Sequence, residues 1–211
     1  MRNGLIISIL KWGLYPAMPK IFEHINPADP MLKALNDFLL MMDATLPSNQ
    51  NIRFYLSGGM LVYLYTGCQR TFYIEGEFNR KVYIADGLSL VYRDGGDKER
   101  LIRFNKNDNT RFNLMHPNYL QDAVLLPFKQ LQNMQVHALT ALDLCVSKIS
   151  RLSPIDIEDI QGFVRAGYFS AEELDVRARE ALIDYFGDLK QYRDNISLAK
   201  QYAQAAQSAL S

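Results

Sequence analysis

The sequence predicts an α+β protein with a small mixed β-sheet core over residues 1–139 and a C-terminal α-helical region over residues 140–211 packed on it. Two observations predict this division. Up to Leu139 the apolar residues come mostly in short runs punctuated by Gly, Pro, Asn and Asp, the pattern of strands and turns. From Thr140 onward they recur at helical spacing, with capping residues at the breaks. A third observation locates the centre of the core. Phe54–Ser57 reads as a buried strand, Ser57-Gly58-Gly59 as a turn, Met60–Thr66 as a short apolar helix, and Thr71–Phe78 as a second strand bearing Glu75 and Glu77.

The elements follow in order. Pro27–Pro30 is a turn, and apolar spacing predicts a helix over about 31–45. Pro47–Asn51 is a polar loop, Ile52–Ser57 the first core strand, and the helix after the glycines ends near Gly67. Lys81–Ala85 reads as extended. Leu88–Tyr92 and Leu101–Phe104 flank Arg93-Asp-Gly-Gly-Asp97, a hairpin signal. A strand is expected over Arg111–Met115, a helix over Tyr119–Leu125 and a last strand over Gln135–Leu139. A helix then runs from Thr140 or Ala141 to about Leu152. Ser153-Pro154 opens the next, with serine as N-cap, proline at the first position and Asp156 in the dipole-favourable first turn. Gly167 closes it. Ser170-Ala-Glu-Glu173 is a capping box for a helix ending near Gly187, and a polar helix covers Leu189 to about Ala209. Met1–Gly13 reads as an N-terminal strand or helix, or as a product of start-site choice, since Met18 could also begin a chain. Its run Leu5–Leu10 is too short to span a bilayer.

Composition bounds the function. The 211 residues are 48% hydrophobic and 22% charged, ordinary for a soluble domain. Lys+Arg of 23 against Asp+Glu of 23 gives no net charge, which argues against a general electrostatic grip on long nucleic acid. Two cysteines, Cys68 and Cys145, read as reduced core residues of a cytoplasmic protein. His116 before Pro117 and His137 in an apolar strand have no serine or cysteine partner at suggestive spacing, so no hydrolase triad is expected. The twelve tyrosines are dispersed and define no stacking surface for bases.

The chemistry concentrates at the glycine turn. Paired glycines let backbone approach a bulky anion. Residues two apart on a strand share a face, so Glu75 and Glu77 project together with Tyr73 beside them. Two carboxylates beside such a turn suit a divalent cation and a nucleotide phosphate; the alternative is a hairpin corner with two solvated glutamates. In the helical region, Lys148 and Arg151 lie three apart. Either they point at a triphosphate, or they pair with Asp156 and Asp159 across a helix corner. Asp143 reads as a capping residue.

Ser57-Gly58-Gly59 followed by an acidic pair on a strand resembles the nucleotidyltransferase signature of the DNA polymerase beta superfamily. The closer resemblance is to a bacterial nucleotidyltransferase-like family of unassigned function, related to AbiEii and MenT toxins. There the second element reads like Thr-x-Asp-Ile-Asp or Ile-Glu-Ala-Glu-Phe; here it is Thr71-Phe-Tyr-Ile-Glu75-Gly-Glu77-Phe78. The tail of that family reads like Asp-Leu-x-x-x-Lys-Leu-x-Arg and then Asp-x-x-Asp-Ile, and Asp143 to Arg151 and Asp156 to Ile160 match it nearly throughout. Tyr73 stands where the strictest alignment puts the first aspartate, so the metal pair is either Glu75 with Glu77 or has decayed.

The resemblance implies a nucleotidyltransferase-like core with Ser57, Gly58, Gly59, Thr71 and Arg151 on the nucleotide and Glu75, Glu77 and Lys148 catalytic. It also implies Mg2+ on Glu75 and Glu77. The implied activity is Mg-dependent transfer of a nucleotidyl group from a nucleoside triphosphate to a protein, tRNA or small-molecule acceptor, in a toxin–antitoxin or phage-defence system. The alternatives are a catalytically degenerate nucleotide- or partner-binding module and an antitoxin-like protein whose helical tail docks on a cognate toxin. Asp94, Asp97 and Asp108 are candidates for a third carboxylate. No membrane association is expected.

Overall fold

A computed structural model describes residues 21–68, 71–105, 113–183, 185 and 189–209. The N-terminal element expected over residues 1–13 and the candidate Asp108 lie outside the described residues. The fold is α+β. Helix α1 (Pro30–Ala44) starts at Asp29, whose carboxylate accepts from the Met31 N–H at 2.8 Å. Strand β1 (Ile52–Ser57) leads into α2 (Gly58–Thr66), and β2 (Tyr73–Phe78) follows. Strands β3 (Ser89–Arg93) and β4 (Glu99–Phe104) form the hairpin, and β5 (Val124–Leu125) and β6 (Met134–Ala138) complete a six-stranded sheet in the order β3-β4-β2-β1-β6-β5. The pairing is mixed: β1 runs antiparallel to β2 and parallel to β6, and β2 runs parallel to β4.

The period-two alternation of β1 and β2 sorts their side chains onto two faces. One face carries Phe54, Leu56, Ile74 and Phe78; the Phe54 and Phe78 rings meet at 4.9 Å, and Phe104 joins them at 6.0 Å from Phe54. The opposite face carries Tyr55, Ser57, Tyr73, Glu75 and Glu77. The apolar run of α2 is buried from Met60 through Tyr65, as expected of a helix covered all round. It packs on β1 and β2 and against the C-terminal helices.

Among the described residues, that C-terminal region holds four helices: α3 (Ala141–Ile149), α4 (Pro154–Arg165), α5 (Ala171–Ala181) and α6 (Leu189–Ser208). An aromatic cluster joins them to the sheet domain. The Tyr65 ring meets Phe163 at 5.5 Å and Tyr168 at 5.2 Å. The Tyr168 hydroxyl donates to the Tyr65 carbonyl at 2.8 Å, and the Tyr65 hydroxyl donates to the Leu139 carbonyl at 2.9 Å. Burial pushes the Tyr65 hydroxyl pKa well above the usual phenol range, so it stays a donor.

Three sequence expectations change. Residues 119–122 form hydrogen-bonded turns rather than a helix, with Gln121 and Asp122 N–H both donating to the Asn118 carbonyl at 2.9 Å. Val124 and Leu125 instead pair with Ala138 and His137 as the edge strand β5, where sheet pairing outweighs local helix preference. Asn113–Met115 are not in a strand, and α5 stops at Ala181, short of Gly187.

Candidate functional site

The sheet's polar face meets α3 and α4 across a cleft of about 270 Å³. Ser57, Gly58, Gly59, Thr71, Glu75, Lys148 and Arg151 line it, together with Asn113, Ser147, Ser150, Ile155 and Asp159. Residues from two distant stretches, joined only by the fold, therefore share one surface.

The glycine turn forms its floor. Gly58 has φ +64, a left-handed conformation costly for residues with a Cβ. A Cβ there would also stand 1.7 Å from Glu75 Oε2. The Glu75 carboxylate lies over the start of α2, where the Gly59 N–H points to Oε2 at a long 3.4 Å. Such an N-terminal N–H has no partner within its helix and carries partial positive charge, so the protein's own carboxylate stands where an exogenous anion would. Asn105 Nδ2 donates to the other oxygen at 3.3 Å.

Glu77 does not line the cleft, contrary to the expectation of a converging pair. The two side chains share a sheet face, but the Tyr119 hydroxyl donates a short hydrogen bond to Glu77 Oε1. Burial and then Glu77 push the Tyr119 hydroxyl pKa far up, which keeps it protonated as the donor. Glu75 and Glu77 are thus drawn toward different partners. Among the described residues no group of three or more His, Cys, Asp or Glu is arranged to hold a metal ion. Of the two glutamates implied as magnesium ligands by the resemblance, Glu75 lines the cleft and Glu77 is held by Tyr119.

The cations sit on the opposite wall. Lys148 Nζ lies 2.9 Å from Asp159 Oδ2 and 3.5 Å from Asp156 Oδ1. Arg151 grips Asp156 with a two-pronged fork, Nε to Oδ2 at 2.8 Å and an NH2 group to Oδ1 at 2.7 Å. Burial raises the Asp156 carboxyl pKa, but the Arg151 fork, the Ser153 hydroxyl and N–H and the Lys148 charge outweigh it, holding the group down at about 2. The expected ion pairs with Asp156 and Asp159 form, and both cations also line the cleft. An ammonium has three donors and a guanidinium five, so these pairs orient both cations without exhausting them. The Arg151 side chain is 68% exposed and also feels the Glu75 charge.

The remaining candidates resolve as structural groups. Asp94 caps the hairpin turn, accepting from Gly96 and Lys98 N–H and from Arg100 Nε. Asp97 pairs with Arg93 at 3.1 Å in the same turn. Asp143 sits in the first turn of α3, with Thr140 as the N-cap, and is gripped by Arg177 of α5 through Nε at 2.8 Å and an NH2 group at 2.9 Å. His116 accepts from the Asn118 N–H on Nδ1 at 3.1 Å, and its Nε2 lies 3.3 Å from Glu180 Oε2 and 3.4 Å from an Arg177 NH1 group. Cys145 is buried, and burial raises its thiol pKa far above the usual range, while Cys68 is exposed.

The sequence did not single out Asn113, Ser147 or Ser150 at the cleft, Asp159 as part of its wall, or Asn105 as the donor to Glu75. The i, i+3 and i, i+4 spacing of Ser147, Ser150 and Arg151 was the available signal.

Comparison of the chain with protein-family models, with curated proteins and with solved structures returned no match. Among the described residues no helix is long and apolar enough to cross a membrane.

Proposed function

We propose that this chain binds the phosphates of a nucleoside triphosphate in the cleft between the β1–α2 turn and the α3–α4 corner. One observation carries the reading: the glycine turn, Thr71, Glu75, Lys148 and Arg151 all line the same cleft. In this reading the start of α2 and the remaining donors of Lys148 and Arg151 take the phosphate oxygens. Glu75 moves off Gly59 as phosphate arrives, because two anions do not share one donor at low cost.

The sheet face common to Glu75 and Glu77 favours a second reading, magnesium-dependent nucleotidyl transfer to a protein, tRNA or small-molecule acceptor. It is the activity implied by the resemblance to toxin–antitoxin and phage-defence nucleotidyltransferases. It asks Glu77, which is hydrogen-bonded by Tyr119 and does not line the cleft, to turn toward Glu75, whereas binding without turnover, as in a degenerate nucleotide- or partner-binding module, asks for no such change.

The test is a thermal-shift titration with ATP, CTP, GTP and UTP, with and without magnesium. Binding raises the melting temperature with the logarithm of ligand excess over its dissociation constant. Shifts that need no magnesium, with no pyrophosphate release, support the binding reading. Magnesium-dependent shifts lost in Glu75→Ala and Glu77→Ala support transfer. No shift with any nucleotide overturns both readings.

A further inference from the structure

Tyr73 opens β2 on the sheet face that bears Glu75, and its side chain is 43% exposed. It stands between Thr71 and Glu75, which both line the cleft, and its N–H donates to Thr71 Oγ1 at 3.0 Å. Same-face neighbours on a strand are about 6.5–7 Å apart. An aromatic ring is thus one strand step from the carboxylate that meets the glycine turn.

Arg103 on β4 is the register partner of Tyr73, and its guanidinium lies 5.7 Å from the ring centroid. Arg103 is exposed and makes no ion pair among the described residues. A tyrosine ring backed by a guanidinium is a surface on which heterocyclic bases stack, through π overlap and the arginine charge. Tyr73 and Arg103 do not line the cleft itself, but the tyrosine offers an exposed aromatic surface one strand step from Glu75, which does.

We infer that Tyr73 and Arg103 seat the base of the nucleotide whose phosphates lie at Gly58 and Gly59. The inference rests on the phosphate-binding reading of the cleft. Every base has a π face, and no hydrogen-bonding edge recognition is invoked, so the seat separates nucleotides from inorganic polyphosphate and discriminates weakly among the four bases.

The experiment is calorimetric titration of the full chain with ATP and with inorganic tripolyphosphate. Wild type, Tyr73→Ala, Tyr73→Phe and Arg103→Gln are compared. The wild type should bind ATP roughly tenfold more tightly than tripolyphosphate, the effect of one stacked base. Tyr73→Ala should erase that gap and leave tripolyphosphate affinity unchanged; Tyr73→Phe should preserve it and Arg103→Gln narrow it. Equal wild-type affinities, or a gap that survives Tyr73→Ala, overturn the base seat while phosphate binding stands. If neither ligand binds, the phosphate reading falls and this inference falls with it.

Discussion

Tyr119 holds Glu77 by a hydrogen bond from its hydroxyl to Glu77 Oε1, and Glu77 does not line the cleft. The bond crosses from the segment before β5 to the middle of the sheet. Tyr119→Phe should therefore lower stability by about 1.5–3 kcal/mol, the range for a hydrogen bond to a charged group, as read by urea denaturation. The same variant should show a larger magnesium-dependent stabilisation than the wild type, because the Tyr119 bond no longer holds Glu77 away from Glu75. Unchanged stability would mean that the bond is not formed in solution.

The start of α2 is the second place where two residues decide the outcome. Gly58→Ala adds a Cβ that collides with the Glu75 carboxylate and also requires a left-handed alanine. The backbone term alone costs about 1–2 kcal/mol. Glu75→Ala removes the 1.7 Å carboxylate contact and leaves only the Glu75 Cβ at 2.9 Å, so the double variant should be more stable than the sum of the single losses predicts. Strict additivity in a double-mutant cycle would place the carboxylate away from Gly58.

Removing the Glu75 charge has a separate effect on ligands. In metal-free buffer, Glu75→Gln should bind tripolyphosphate more tightly by about 1 kcal/mol, roughly fivefold, because the like charge at the helix start is gone. Calorimetry checks the sign. Weaker binding would make Glu75 part of the ligand's support.

Acid should weaken the α3–α4 corner in a defined window. The Asp156 carboxyl is depressed from 3.8 to about 2, so its contribution is fully present above pH 4 and is lost as pH falls through 2. The amount is about 2 kcal/mol at one pKa unit per 1.36 kcal/mol. Stability measured from pH 5 to pH 2 should show this loss in the wild type and a smaller one in Asp156→Asn. At neutral pH, Lys148→Ala leaves Asp156 and Asp159 without that partner and should cost about 3 kcal/mol, since both carboxylates are buried.

The strands and helices with strong local signals were legible in the sequence. The β3–β4 hairpin announced itself by its glycines, α4 by Ser153-Pro154 and α5 by its capping box. The turns at 119–122 and strand β5 were not legible, because two residues become a strand only when β6 offers a partner. At the site, Ser57, Gly58, Gly59, Glu75, Lys148 and Arg151 could be named from motif and spacing. The divergence of Glu77 could not, since Tyr119 lies 42 positions away. Nor could the position of Tyr73 beside Arg103, which depends on the parallel pairing of β2 with β4. The buried Asp43 was equally hidden: it accepts N–H bonds from Gln132, Asn133 and Met134, a contact set visible only after folding.

The aromatic clasp of Tyr65, Phe163 and Tyr168 has a consequence for how the chain can be divided. It fastens the wall bearing Lys148 and Arg151 to the floor bearing Gly58 and Glu75. Expression of either half alone would part anion from cation and strip apolar cover from α2. The exposed Met60–Tyr65 surface would then drive association of the fragments.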